Sequence, residues 1–233
     1  NKAEFIHFKR GIYRLKSQLV KNIIGIGMSP FSMNVCACFV VIIINNSLVD
    51  HGGDMAVGAY GIINRIAFIF VMITIGVNQG MQPIAGYNYG AMKFDRMMRV
   101  LKYALICGTC VTTIGFIVGQ FFPEQCVRLF TSDETLISLS VHAMRLTTVS
   151  FPIIGFQMVV ANFFQSIGKA KVSVFLSLSR QLVFLIPMLL VLPTLYGVDG
   201  VWYSMPVADT ISALVTATIM YLFMRKINKQ KTI

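Results

Sequence analysis

Four charged side chains lie inside stretches that are otherwise apolar: Arg65, Arg145, Arg180 and Asp209. A charge at the centre of a bilayer costs about 2.5–3.5 kcal/mol on insertion scales, so such residues mark functional sites by default. The plainer alternative is an ion pair that fixes helix packing. Asp209 is the single acid of the set, and three arginines are available to compensate it. At ~1.5 Å of rise per helical residue, Arg65, Arg145 and Asp209 fall about 12–15 Å from one end of their stretches. Arg180 falls about 14 Å from the opposite end of its own. On depth, Arg65 or Arg145 is the expected partner of Asp209, in a structural pair rather than a coupling site.

Uncharged amides accompany these charges: Asn34, Asn45, Asn46, Asn64, Asn78, Gln79, Gln82, Gln157, Asn162, Gln165 and Gln181. Amide hydrogen bonds between membrane helices contribute about 0.6 kcal/mol on average, so interhelical glue accounts for most of them. Their concentration in the first, second and fourth apolar stretches points instead to helices that border a wet cavity. The pathway candidates are Asn34, Asn64, Gln79, Gln157, Asn162, Arg180 and Asp209.

Motifs for covalent or metal chemistry do not occur. Gly168-Lys169 lacks the upstream glycine of a triphosphate-cradling loop. The three histidines, His7, His51 and His142, are isolated, so no zinc site is expected. Cys107 and Cys110 have the CxxC spacing, but redox motifs of that kind flank a βαβ unit. A thiolate inside an apolar helix is disfavoured, and all five cysteines read as small apolar filler. The sequence is that of a non-enzyme with no cofactor.

The elements that must position these residues follow from composition. Of 233 residues, 56% are hydrophobic and 12% charged, with 20 Lys+Arg against 9 Asp+Glu. A soluble domain carries roughly 25% charged residues. Mean hydropathy of +0.72 also excludes a disordered chain. Basicity could indicate nucleic acid, but the cations fall between apolar spans, so no nucleic-acid partner is expected. Six segments reach the ~20 residues that a bilayer core requires: about 23–48, 57–84, 100–122, 135–165, 172–193 and 200–224. Unsatisfied backbone groups in hydrocarbon cost several kcal/mol, so each span must be a helix. Continuous apolarity excludes barrel strands. The expected fold is an all-α integral membrane protein with six transmembrane helices in one bundle. It comprises an amphipathic connector at 1–21, the bundle at 22–226 and a tail at 227–233. Asn1 in place of Met suggests that the chain is the later part of a longer one.

Lys and Arg mark the cytoplasmic side. They cluster before the first span (Lys9, Arg10, Arg14, Lys16), between the second and third (Lys93, Arg96, Arg99, Lys102), between the fourth and fifth (Lys169, Lys171) and after the sixth (Arg225, Lys226, Lys229, Lys231). The alternate loops hold Asp50, Asp54, Glu124, Asp133, Glu134 and Asp199, with Arg128 as their one cation. Both termini are therefore expected in the cytoplasm, with the chain multi-pass in the inner membrane. Turn residues at 50–54, 86–90 and 197–200 are expected to separate consecutive spans.

Several stretches together resemble the multidrug and toxic compound extrusion (MATE) transporters. They are Gly76 to Ala91 (GVNQGMQPIAGYNYGA) with Arg96, Leu129-Phe130-Thr131, Phe164 to Lys169 (FQSIGK), Arg180-Gln181, Pro187, and Gly200-Val201-Trp202. The resemblance implies two six-helix bundles related by pseudo-twofold symmetry around a central cavity, working by alternating access. It implies export of organic cations and other drug-like molecules in exchange for protons or sodium. This chain matches the second bundle, which makes a missing N-terminal six-helix bundle its expected partner alongside membrane lipids. Some branches of the family place acids where this sequence has Cys38 and Ile154. Proton coupling is therefore expected over sodium, while Gln157 keeps a polar family position. The rivals are a lipid-linked oligosaccharide flippase of the same broad superfamily and a non-transporting membrane scaffold.

The charge bias generates a topological test. Single cysteines placed near Asp54, Glu134 and Asp199, in a background lacking the native cysteines, should react with an impermeant maleimide added outside intact cells. Those near Lys93, Lys169 and Lys229 should react only after permeabilisation. One loop labelled from the wrong side overturns the orientation.

Overall fold

A computed structural model describes residues 17–231, and every regular element among them is helical. In chain order these are α1 (Ser17–Gly90), α2 (Phe94–Phe121), the short α3 (Pro123–Arg128), α4 (Glu134–Thr148), α5 (Phe151–Ser166), α6 (Ala170–Leu178), a π-helical segment (Ser179–Leu185), α7 (Ile186–Tyr196) and α8 (Val198–Lys231). The expected connector at 1–21 lies mostly outside the described residues.

The apolar part of α1, Asn34–Gly90, has 57 residues. A straight helix of that length would extend about 85 Å, against ~30 Å of hydrocarbon, so it must cross twice. The break is at Gly53, whose φ of 66° and ψ of −168° belong to a region essentially reserved for glycine. Its neighbour Gly52 serves a different need: a Cβ there would stand 2.7 Å from the Ala56 and Val198 side chains. The remaining spans are Phe94–Phe121, the pair Glu134–Thr148 and Phe151–Ser166 bent by 51°, Ala170–Tyr196 and Val198–Ile227. Large apolar side chains such as Phe68, Ile69, Phe121, Leu190 and Leu195 cover the outer surface, as lipid contact requires. The five cysteines are unpaired, and Cys38, Cys107 and Cys110 lie on the exposed surface rather than filling the interior.

Two boundaries differ from the sequence expectation. Residues 86–90 do not form the turn between the second and third spans, because α1 continues through Gly90. The reversal comes at 91–93, with Met92 at φ 56° and Lys93 N donating to Asn88 O at 2.8 Å. Gly86 is instead a point of close approach, where a Cβ would lie 2.8 Å from the Ser166 carbonyl oxygen. The span expected at 135–165 is broken between Thr148 and Phe151. Pro152 lacks an amide hydrogen and its ring collides with the preceding turn, so α5 restarts with Pro152 in its first turn and Ser150 at its cap.

The interior is two apolar clusters with a polar layer between them. One cluster joins Leu48, Ala56, Tyr60, Val127, Met144, Leu189 and Trp202 at the end of the bundle marked by Gly53 and Gly197. The other joins Met81, Met97, Leu101, Phe163, Phe164 and Phe223 at the opposite end. Three aromatic rings of the second cluster meet edge to face, Phe164 and Phe223 at 5.2 Å between centroids. At the first end, Asp133 caps α4 by accepting from Thr135 N and Leu136 N. Arg128 there reaches both Glu124 and Glu134, each at 3.0 Å.

Helices α2 and α5 pack along a seam of small residues. A Cβ on Gly155 would collide with Thr112 Oγ1 and approach the Gly108 carbonyl oxygen to 2.8 Å. Small residues in such seams let backbones approach and gain dispersion contacts that lipid cannot replace. Gly155→Ala should therefore force α2 and α5 apart and cost about 1–3 kcal/mol, the usual penalty of overpacking. Gly61→Ala, where nothing lies within 4 Å, should not. Thermal unfolding of the two purified variants checks this, and an unchanged midpoint for Gly155→Ala would refute the seam.

Candidate functional site

The polar layer encloses a chamber of about 500 Å³, walled by both limbs of α1 and by α2, α4, α5, α6, the π segment and α8. Among the described residues that line it, two are charged, Arg180 and Asp209. Asp209 Oδ1 lies 3.2 Å from Arg180 Nε. Asp209 Oδ2 accepts from the Ser150 hydroxyl at 3.0 Å, and the Asp209 carbonyl oxygen accepts from Gln157 Nε2 at 2.5 Å. The Asp209 side chain is 8% exposed and that of Arg180 33%.

Each contact depends on a local irregularity. Ser150 reaches Asp209 because the α4–α5 span is broken where it stands. Arg180 and Gln181 sit in the π segment, which precedes Pro187; lacking an amide hydrogen, Pro187 cannot complete an ordinary helical turn. The Ile186 amide instead donates to the Gln181 carbonyl, the wider π spacing. In α8, Pro206 lies within the helix three residues before Asp209.

The partner of Asp209 is thus neither Arg65 nor Arg145, both of which are exposed, but Arg180. Depth estimates of about 14 Å from opposite membrane faces describe the same level of a ~30 Å core, so depth never separated Arg180 from the other two. The direction in which each arginine faces decided the pairing, and depth carries no such information. Of the pathway candidates, Asn64, Gln157, Asn162, Arg180 and Asp209 line the chamber. Asn34 and Gln79 are exposed and lie outside it. Asn162 Oδ1 accepts from Gln82 Nε2 at 3.1 Å, tying α5 to the second limb of α1.

Other lining residues carried little sequence signal. Thr112, Thr147 and Thr216 return their hydroxyl hydrogens to carbonyls of the preceding turn, which lets polar groups sit in apolar helices. Ser150, which reaches Asp209 without lining the chamber, had a readable one, since Ser-Phe-Pro in mid-span signals a helix break. Gln157 Oε1 and Gln181 Oε1 are buried without a hydrogen-bond partner among the described residues. No group of three or more His, Cys, Asp or Glu side chains that could hold a metal comes together among the described residues.

Comparison with known proteins places this architecture. A family profile described as MatE matches residues 30–191. The Multidrug export protein MepA of Staphylococcus aureus (strain N315) is 25% identical over 205 residues, which are 88% of this chain and 45% of that protein. MepA of Staphylococcus saprophyticus is 22% identical over 230 residues, 99% of this chain and 50% of that protein. Among solved structures, the MATE multidrug transporter DinF-BH, solved as a ligand complex, superposes with a TM-score of 0.79 at 36% identity, covering 93% of this chain and 48% of that one. An inward-facing MATE family transporter of the MOP superfamily shares the fold, with a TM-score of 0.84 at 20% identity over 97% of this chain and 55% of that one. The chain spans about half the length of the curated relatives it matches and corresponds to the C-terminal half. It belongs to the MatE family of multi-pass membrane transporters.

Proposed function

We propose that this chain is the C-terminal six-helix bundle of a secondary active multidrug efflux antiporter in the cytoplasmic membrane. In this reading both termini are cytoplasmic, the bundle occupies 22–226, and an N-terminal bundle supplies the facing half of the transport path. The observation that carries the proposal is the chamber itself: a largely apolar cavity carrying amides, hydroxyls and one ion pair, set within the apolar spans and lined in part by broken or widened helices. Non-helical backbone at that depth is tolerated where it lines a cavity, and secondary transporters place their sites there, at discontinuous helices. Relatives named as multidrug export proteins support a drug-like substrate. Asn64, Gln157, Asn162, Arg180 and Asp209 form the substrate-facing wall. Alternating access follows when substrate and coupling ion bind the inward and outward states with different affinity.

Protons are the coupling ion in this reading. Sodium needs several oxygen ligands, usually with a free carboxylate among them, and both Asp209 oxygens are already engaged. Ile154, another lining residue, offers none. In proteoliposomes holding the two-bundle transporter, dye export should collapse when the pH gradient is dissipated and be indifferent to a sodium gradient. Vesicles holding the 233-residue chain alone should not transport. Robust export by the chain alone, or export driven by sodium, would reject this mechanism.

Asp209 is a structural member of the wall. Removing one partner of a buried pair costs about 3–5 kcal/mol, and the partial hydration of Arg180 lowers that figure here. Asp209→Asn in the two-bundle transporter should thus reduce the thermal midpoint and the yield, with the ion dependence of the surviving molecules unchanged. Normal stability with loss of proton-driven exchange would make Asp209 the coupling residue instead.

A further inference from the structure

Away from the chamber, the end of the bundle opposite Gly53 and Gly197 carries positive charge that the described residues do not answer. Lys169, in the corner between α5 and α6, lays its ammonium over the Phe223 ring of α8, 4.3 Å from the centroid. That ring packs edge to face against Phe163 and Phe164, at 5.9 and 5.2 Å, so the cation stands on the second apolar cluster. Lys226 follows Phe223 by one turn of α8 and acts on Lys169 as a like charge. Burial first, and then repulsion by Lys226, holds the Lys169 ammonium below its ordinary pKa. Lys171, in the first turn of α6, adds a third and exposed cation. No ion pair among the described residues engages any of these three lysines. The one described acid at this end, Asp95, belongs to the start of α2. Like charges in a partly desolvated corner repel, and an anion among them removes the repulsion.

The helix directions decide what kind of anion fits. From this end α6 runs into the apolar span, starting beside Lys171, while α8 runs out of it towards Lys226. Four residues deeper on each helix, on the same face as the lysine, stands a large apolar side chain more than half exposed: Phe175 on α6 and Leu222 on α8. Each lies about 6 Å below its lysine along the helix axis. Cations at span ends sit at headgroup level, and basic pockets between membrane helices hold lipid headgroups there. We infer that Lys169, Lys171 and Lys226 bind the phosphodiester of an anionic phospholipid, whose acyl chains run along Phe175 and Leu222. A zwitterionic lipid fits less well, because its own cation meets the same lysines. A free inorganic anion makes no use of the two apolar side chains. The inference is independent of what the chamber carries and needs only that the spans cross a membrane.

The test is native mass spectrometry of the purified protein, released from micelles that contain phosphatidylglycerol or phosphatidylcholine with identical acyl chains. The unmodified protein should retain about fivefold more phosphatidylglycerol than phosphatidylcholine. In the Lys169→Gln/Lys226→Gln variant that ratio should fall to about one. Lys93→Gln/Lys102→Gln removes two exposed charges from the α1–α2 hairpin at the same end and should leave the ratio unchanged. Lys226→Gln alone, at an exposed position of α8, should lower the ratio about twofold and decides the matter if the double variant fails to fold. Inorganic phosphate in excess should not displace the bound lipid. Equal retention of the two lipids by the unmodified protein overturns the inference, as does a preference that survives in the Lys169 and Lys226 variants. An equal loss in the Lys93/Lys102 variant assigns the preference to diffuse charge and overturns the site. Full displacement by inorganic phosphate makes this a free-anion site and overturns the lipid assignment.

Discussion

A carboxylate at the middle of a bilayer must be compensated where it stands, and the elements around Asp209 are shaped by that demand. With its side chain only 8% exposed, Asp209 draws its compensation mainly from the protein. Arg180 supplies the counter-charge and Ser150 a hydroxyl, while Gln157 holds the backbone carbonyl of the same residue. None of the three would arrive from six straight, regular helices with the same geometry. A break at Thr148–Phe151 frees Ser150, a π segment carries Arg180, and a proline three residues upstream loosens α8 itself. Helix irregularity and charge burial are one feature of this bundle.

The apolar clusters then have a definite task. They hold the ends of the helices, where Trp202 and Leu48 on one side and Phe163 and Met97 on the other are fully or almost fully buried. Between them lies the chamber, whose wall mixes apolar side chains with amides, hydroxyls and the Arg180–Asp209 pair. The α2–α5 seam is the counterweight, because Gly108, Thr112 and Gly155 bring two backbones together on the flank of the chamber. Close backbone packing there stands directly beside the open interior.

Much of this was legible in the sequence, and what was not has a common cause. Span number and helical class follow from hydropathy and length alone, and the exposure of so much apolar surface agrees with them. Asn64, Gln157, Asn162, Arg180 and Asp209 were recognisable because polar groups in apolar spans are expensive. Their arrangement was not, since residue type reports depth along a helix but not the direction a side chain faces. Arg65 lies next to chamber-lining Asn64 and yet is not in the wall, and Gln79 likewise faces outward. Gly86 shows the same limit in another form. Glycines signal turns or close approaches with equal force, and only the position of the Ser166 carbonyl distinguishes the two.

The unpartnered acceptors give the last step. Gln157 Oε1 and Gln181 Oε1 are buried without a hydrogen bond among the described residues, a condition that costs about 1–3 kcal/mol for each group. A bundle shaped for stability alone would place leucine or methionine at such positions at little loss of volume. Both glutamines instead flank the Asp209–Arg180 pair, in the same wall, on the two irregular spans. In a chamber open to solvent such acceptors can be met by water or a bound molecule, or by another arrangement of the same groups. The broken α4–α5 span and the widened π turn are the two places in this wall where such a rearrangement requires the least disruption of helical hydrogen bonds. In the reading proposed above, these irregular turns beside unmet acceptors are where a wall that alternates between two states changes shape.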